Sequence, residues 1–331
     1  MGKFDKVRFQ TRTLVSNRPV YNPQFVDPQL QNAWDLEVET ADRIWVTANR
    51  SANPAVGHVI VYKATGEKVV SFEVPGGPTG VTLNTAPVGT GGSDAVYVAT
   101  EAGKIYGIRP ATQVAVHLVV DNTPKNAFYT GLEMVGTRLY ATDFFNGRVD
   151  VFTSSQGVFT QIYTLPFCDR QVPCDYAPFN IEALGPYLFV TYARKEIGTH
   201  HTVSGPGRGI ITVFDLNGVI VSRLVKRDNG LNVPYGETVA PASFGKKFAN
   251  KLLVGNYGDG TLAVYDGDGE FLGTLKTQDR QPLTIDGLGG LARVPGTGVG
   301  TGVVYFVAGP NDGADGLLGR IEVVPQPGPR R

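Results

Sequence analysis

The chain has 331 residues with 30 Lys and Arg against 30 Asp and Glu, so no net field steers it onto nucleic acid or an anionic membrane. Gly 42 and Pro 22 suit short strands and tight turns rather than helices, and 42% hydrophobic residues supply a core. No apolar stretch approaches the length of a bilayer span, and the first twelve residues are charged, without the apolar centre of a signal peptide.

From the N-terminus, residues 6–15 alternate as a strand does. Six similar openings follow: Trp34-Asp35-Leu36, Thr79-Gly80-Val81, Thr130-Gly131-Leu132, Phe179-Asn180-Ile181, Tyr235-Gly236-Glu237 and Gly289-Gly290-Leu291. Their middle positions are 45, 51, 49, 56 and 54 residues apart, the spacing of propeller blades. Behind each opening comes a second strand rich in β-branched and aromatic residues, at 44–47, 96–99, 139–142, 188–191, 252–254 and 304–307. Third strands are expected at 59–62, 104–108, 148–152, 210–214, 262–265 and 320–324. Several end in Gly-bearing hairpins such as Asp215-Leu216-Asn217-Gly218, where positive φ is needed.

Fourth strands are expected at 68–74, 114–120, 159–165, 219–225 and 270–275. The sixth repeat lacks one, because 325–331 reads Pro-Gln-Pro-Gly-Pro-Arg-Arg and cannot donate a regular ladder. The strand at 6–15 completes it and removes the exposed edges. The expectation is an all-β, single-domain, six-bladed β-propeller of four-stranded antiparallel blades. Its blades run 33–78, 79–125, 126–167, 168–228, 229–286, and 287–325 with 6–15.

Cys168 and Cys174 are the only cysteines, with five residues between them. Two thiols do not make a four-ligand zinc site. A local disulfide is expected, worth about 2 kcal/mol through the unfolded state and implying an oxidising compartment. Two reduced loop thiols are the alternative.

In a propeller the inner-strand openings meet the ends of the second strands around the channel mouth, so the repeat register locates polar residues there. Asp35 and Asn180 stand where other openings carry Gly, and two residues on stand Glu37, Thr82, Glu133, Glu182 and Thr238. Second strands close on Asn49, Glu101, Asp143, Tyr192, Asn256 and Asn311, with Tyr235 and Tyr257 close by in register. Oxygen-rich side chains converging on an axis suit calcium, which takes six to eight oxygen ligands. Equally, these carboxylates line a water-filled channel or pair with Arg and Lys of neighbouring blades. His200-His201 lies in a long loop without a third nearby ligand, which disfavours a transition metal. A Gly-x-Ser-x-Gly nucleophile elbow is absent.

Several longer words resemble a known family: Leu14-Val15-Ser16-Asn17-Arg18-Pro19, Asp27-Pro28-Gln29-Leu30-Gln31-Asn32-Ala33-Trp34, Tyr176-Ala177-Pro178-Phe179-Asn180-Ile181, Leu252-Leu253-Val254-Gly255-Asn256-Tyr257-Gly258-Asp259-Gly260 and Ala308-Gly309-Pro310-Asn311-Asp312. The family is an uncharacterised six-bladed propeller group of bacteria carrying the PEP-CTERM sorting system, related in shape to NHL and lactonase-like propellers. The resemblance implies an exported protein, extracellular or periplasmic, with an intracellular one left open, and no established activity. Where the family pattern reads Pro-Trp-Gly-Leu, this chain has Ala33-Trp34-Asp35-Leu36.

Two functions follow as expectations. The first is a binding or scaffold propeller whose mouth takes a protein or small-molecule ligand. Asp35, Glu37, Asp143, Asn180, Tyr192, Tyr235, Asn256 and Tyr257 would line it, with Phe144, Phe145, Tyr192 and Tyr257 as exposed aromatic anchors. Loop 194–209 and the cysteine loop then serve recognition. The second, by analogy with lactonase-like propellers, is a calcium-assisted lactonase or esterase, with Glu133 or Glu182 as acid/base and Asp35, Asn180 and Asn256 holding the ion. An architectural subunit of an envelope or larger assembly is a further alternative.

Overall fold

Six antiparallel sheets stand in a ring, each running outward from an inner strand, and each inner strand lies against the next until the sixth meets the first. The computed structural model describes residues 7–324 except 41, 52, 54, 88–91, 111–114, 164–166, 227–228 and 295–302. Of the expected strand residues, Lys6, Val114, Thr164 and Leu165 lie outside the described set. The inner strands are Gln31–Thr40, Pro78–Leu83, Tyr129–Val135, Tyr176–Leu184, Pro234–Val239 and Leu288–Arg293, numbered here as blades 1 to 6. No helix among the described residues is long and apolar enough to cross a membrane.

Each sheet has a neighbour on both faces, which explains the unbroken apolar runs of the second strands. Val96–Thr100, Leu252–Asn256 and Val304–Ala308 are buried at every position. Outermost strands meet water on one side, so Lys68–Pro75 alternates exposed and buried residues near its end and Val158–Ile162 has no buried residue.

Phe9–Ser16 pairs antiparallel with Leu317–Val323 and completes blade 6, as the missing fourth strand requires. It bridges two neighbours. Phe9 meets the Phe244 ring edge-on at 4.7 Å on the blade 5 side, while Leu14 and Val15 share a core with Val38, Ile44 and Ile60 of blade 1. A further two-residue strand, Phe25–Val26, runs parallel to Phe9–Ser16 at the rim; nothing in the repeat announces it.

The recurring openings mark one structural event. In every blade the pairing of inner and second strands slips at that point, leaving two inner-strand residues opposite one partner: a β-bulge. Three blades bracket the bulge with a threonine. Thr47, Thr142 and Thr191 accept hydrogen bonds from the backbone N–H of Asp35, Gly131 and Asn180 at 2.9, 2.7 and 3.0 Å. Thr47 in turn donates to Thr79 O of the next blade at 2.6 Å.

Buried aspartates tie the outer strands. Asp27 accepts from Tyr62 at 2.7 Å and from Lys68, Asp150 accepts from Tyr129 at 2.8 Å and from Arg148, and Asp169 accepts from Thr212 at 3.0 Å and Arg223 at 2.8 Å. Hydrogen bonds to a charged group contribute about 1.5–3 kcal/mol each, so these ties matter to the cohesion of blades 1, 3 and 4.

Candidate functional site

At the bulges the inner strands come close enough that side chains span from blade to blade. Asp35 Oδ2 accepts the Val81 N–H of blade 2 at 3.1 Å, and its Oδ1 would stand 2.2 Å from any Cβ on Gly290 of blade 6. Asn180, three blades away, donates to Tyr235 O of blade 5 at 3.1 Å, and its Oδ1 would stand 2.3 Å from a Cβ on Gly131 of blade 3. The two non-glycine residues therefore knit the ring, and the neighbouring glycines leave them space.

Immediately above, the channel is stoppered. Trp34, Phe179 and Tyr235, each the first residue of its bulge, pack edge to face with centroids 6.4, 6.0 and 5.4 Å apart. Trp34 Nε1 and Tyr235 OH both donate to Thr130 O, at 3.1 and 2.8 Å, joining blades 1, 3 and 5 across the axis. The void left beside this cluster measures only about 10 Å³.

Below the stopper lie the carboxyls. Glu133 Oε1 accepts from Met134 N at 2.9 Å and Oε2 from Ala183 N at 3.3 Å, so it links blades 3 and 4. Burial pushes its pKa up to about 7 and that of Asp35 up to about 8. Glu37 and Glu182, both half-buried, are held well above the usual carboxylate range by burial, with the neighbouring carboxyl charges adding to it. A fifth carboxyl was missed by reading only the column two residues past the bulge. Glu237 occupies the column one residue past it, where the other blades have Leu36, Val81, Leu132, Ile181 and Leu291. It is 1% exposed, and neither oxygen has a hydrogen-bond partner among the described residues.

The expected ion site does not assemble. Asn256 Oδ1 accepts from Asn232 N at 3.0 Å and its Nδ2 donates to Gly230 O and Thr261 Oγ1, both at 3.0 Å. Asn180 and Asp35 are turned to their neighbouring blades, and among the described residues no group of three or more His, Cys, Asp and Glu is arranged to hold a metal ion. Asp35, Asn180 and Asn256 thus do not fit calcium, and Glu133 is bound to backbone N–H groups beneath the stopper.

The aromatic anchors also need correction. Phe144 is fully buried and Tyr192 is 5% exposed, both packed between blades; Tyr257 is 39% exposed and Phe145 half-buried. Asp143 is a structural bracket, accepting from Phe128 N and from Asn146 Nδ2 at 3.1 and 2.6 Å. Cys168 and Cys174 are exposed, unbonded thiols on the wall of a cleft of about 340 Å³, so the expected disulfide is not formed. Asp169 holds that loop instead, through Thr212 and Arg223 and by accepting from Gln171 N at 2.9 Å.

What the mouth face offers is a second cleft, of about 490 Å³, over blades 2 and 3. One wall is a hairpin grown from the second strand of blade 4, where Lys195 pairs with Thr202 and Val203 N donates to Arg194 O at 2.8 Å. Lys195 Nζ donates to Phe145 O at 2.7 Å, docking the hairpin on blade 3. At its tip His200 stacks on Phe128 with centroids 4.2 Å apart and meets Phe145 edge-on at 4.9 Å. Burial and the adjacent His201 lower the His200 pKa. Glu101, Thr123, Asn126, Thr199 and His201 complete the lining.

No family model matches the chain. Among solved structures, an α-L-arabinofuranosidase from Fusarium graminearum is similar with a TM-score of 0.59 and 12% identity, over 96% of this chain and 98% of that one. A streptogramin B lyase is similar with a TM-score of 0.50 and 14% identity, over 96% and 98%. Both likenesses show the fold alone. In sequence, the uncharacterized protein L690 of Acanthamoeba polyphaga mimivirus is 30% identical over 93% of this chain and 84% of its own length. The quoted words resemble a bacterial group whereas this relative is viral, and by that identity and coverage the chain belongs to the family of the mimivirus protein.

Proposed function

We propose that the protein is a binding propeller whose ligand occupies the mouth-face cleft between Glu101 and the His200 hairpin. One observation carries the reading: a cleft of about 490 Å³ opens on the face where the channel itself is stoppered. That volume falls within the range of roughly 300–1,000 Å³ usual for small-ligand sites, and its lining mixes a ring wall with converging polar groups. An extracellular or periplasmic setting, implied by the resemblance to exported propellers, belongs to the same reading. The similar folds of a lyase and a glycosidase supply no activity to transfer, because function resides in sites and not in folds.

A library of small neutral polar compounds, screened against the ¹⁵N-labelled protein, tests this. Amide shifts are expected to concentrate on Ala102, Thr123, Asn126, Phe145 and Thr199. Shifts concentrated on Met134 and Ala183, beside the channel carboxyls, would move the site into the channel and refute the reading.

A further inference from the structure

The charges around the mouth-face cleft are unevenly matched. Three buried aspartates of the outer strands and loops have a cation: Asp94 has Arg109 at 2.9 Å, Asp150 has Arg148 at 2.9 Å and Asp169 has Arg223 at 2.8 Å. Glu101 is half-buried and makes no ion pair among the described residues. Its position is fixed at the end of a second strand by its backbone N–H, which donates to Gly77 O at 2.9 Å, and by a side-chain hydrogen bond with Asn49. Gly77 makes room for the carboxylate, since a Cβ there would lie 2.9 Å from Oε2.

Neighbouring cations hold other hydrogen-bond partners, and of them Arg50 also acts on Glu101, its charge lowering the pKa that burial raises. Lys125 Nζ donates to Gln161 and to Tyr163 OH, and lies over the Tyr163 ring; Lys195 Nζ is held by Phe144 O and Phe145 O; Arg50 donates to Asp312 O at 2.9 Å. Phe145, His200, His201, Thr123 and Thr199 line the same cleft as Glu101. The lining therefore holds one formal charge, which is negative, and an aromatic surface beside it.

We infer that the cleft recognises a cationic head group, an ammonium or guanidinium, paired with Glu101 and laid against Phe145. The inference rests on the cleft being the ligand site. A charge-assisted hydrogen bond to a carboxylate is about twice as strong as a neutral one. A cation over an aromatic face adds about 0.5–1 kcal/mol at an exposed site. An anionic ligand would meet Glu101 with repulsion, and a neutral one would leave the carboxylate to be desolvated without compensation. The same head group occurs on a free amine or guanidine and on a Lys or Arg side chain of a peptide.

Calorimetric titration of the full chain with N-acetyl-arginine amide, agmatine, N-acetyl-glutamine amide and N-acetyl-glutamate amide tests the inference. The two guanidinium probes are expected to bind, more weakly as salt rises, and the other two to bind at least tenfold less tightly. Glu101→Gln is expected to weaken the guanidinium probes at least tenfold, with its melting curve confirming that it folds. Phe145→Leu, which keeps bulk and removes the ring face, is expected to weaken them about threefold. Preference for the acetylated amide assigns a peptide-borne side chain, and preference for agmatine a free guanidine. Equal binding of the neutral or anionic probe, or an unchanged affinity in Glu101→Gln, would overturn the inference while leaving the cleft as the ligand site. Silence of all four probes would overturn it too, and the neutral-compound map above would then decide on the cleft separately.

Discussion

Glu237→Leu is expected to stabilise the fold at pH 8 by about 2 kcal/mol or more. The wild-type side chain is 1% exposed with both oxygens unpartnered, in a column that the other five blades fill with Leu, Val or Ile. Burying an unpaired polar group costs about 1–3 kcal/mol, and replacing buried charge by well-packed apolar groups commonly recovers it. Burial alone holds the Glu237 pKa well above the usual carboxylate range.

The same substitution changes how stability depends on pH. A carboxyl whose pKa is raised by folding contributes stability in full below its unfolded pKa, near about 4, and loses it as the pH rises through the folded value. With Glu133 pushed up to about 7 and Asp35 up to about 8, the stability they lend falls as the pH rises from about 4 and is gone above about 7 and about 8 respectively. His58 and His200, whose pKa values burial lowers from 6.5, act in the opposite direction below that value, since the unfolded chain then binds their protons more tightly. Each carboxyl protonated when folded and ionised when unfolded tilts stability by about 1.4 kcal/mol per pH unit. Urea unfolding at pH 5, 6 and 7, above the usual carboxylate range, should therefore show a shallower fall of stability with pH for Glu237→Leu. A variant no more stable than wild type at pH 8, with the same slope, would contradict this assignment.

Loss of the closing strand is expected to be the most damaging change in the molecule. Leu14→Ala removes a side chain that is 1% exposed and packed on blade 1, at a cost of about 2–5 kcal/mol. Deleting residues 1–16 also removes Phe9 and Val15 from the cores they share with blades 5 and 1, and bares the edge of Leu317–Val323. Cooperative unfolding should then be lost, and hydrogen exchange should reach the amides of Leu317–Val323 first. A truncated chain that melts as sharply as the full one would show that the ring closes otherwise.

The parts of this molecule that were legible in the sequence are those set by repetition. The column Asp35, Gly80, Gly131, Asn180, Gly236 and Gly290 is the bulge column, because each blade must solve the same close approach at the axis. The closing strand was legible because the sixth repeat lacked a partner. The stopper was not, since Trp34, Phe179 and Tyr235 meet across the ring from blades 1, 4 and 5, and no local pattern encodes that contact. Register located the carboxyls without showing that an aromatic cluster divides them from the mouth, or that Asn256 faces Asn232. Phe144 and Tyr192 illustrate the same limit: the sequence positions them near the mouth, and packing between blades buries them. The proposed cleft arises from a hairpin of blade 4 lying on its neighbour, blade 3, through Lys195 and His200, which repeat spacing does not describe.

Carbodiimide labelling of carboxyl groups in the native protein, read by mass spectrometry, tests most directly whether Asp35, Glu133 and Glu237 are internal while Glu101 opens on the cleft. Glu101 is expected to be modified readily, whereas Asp35, Glu133 and Glu237, at 9%, 7% and 1% exposure, are expected to react only after unfolding. Modification of Glu133 or Asp35 in the folded protein at the rate of Glu101 would contradict the account and return the site to the channel.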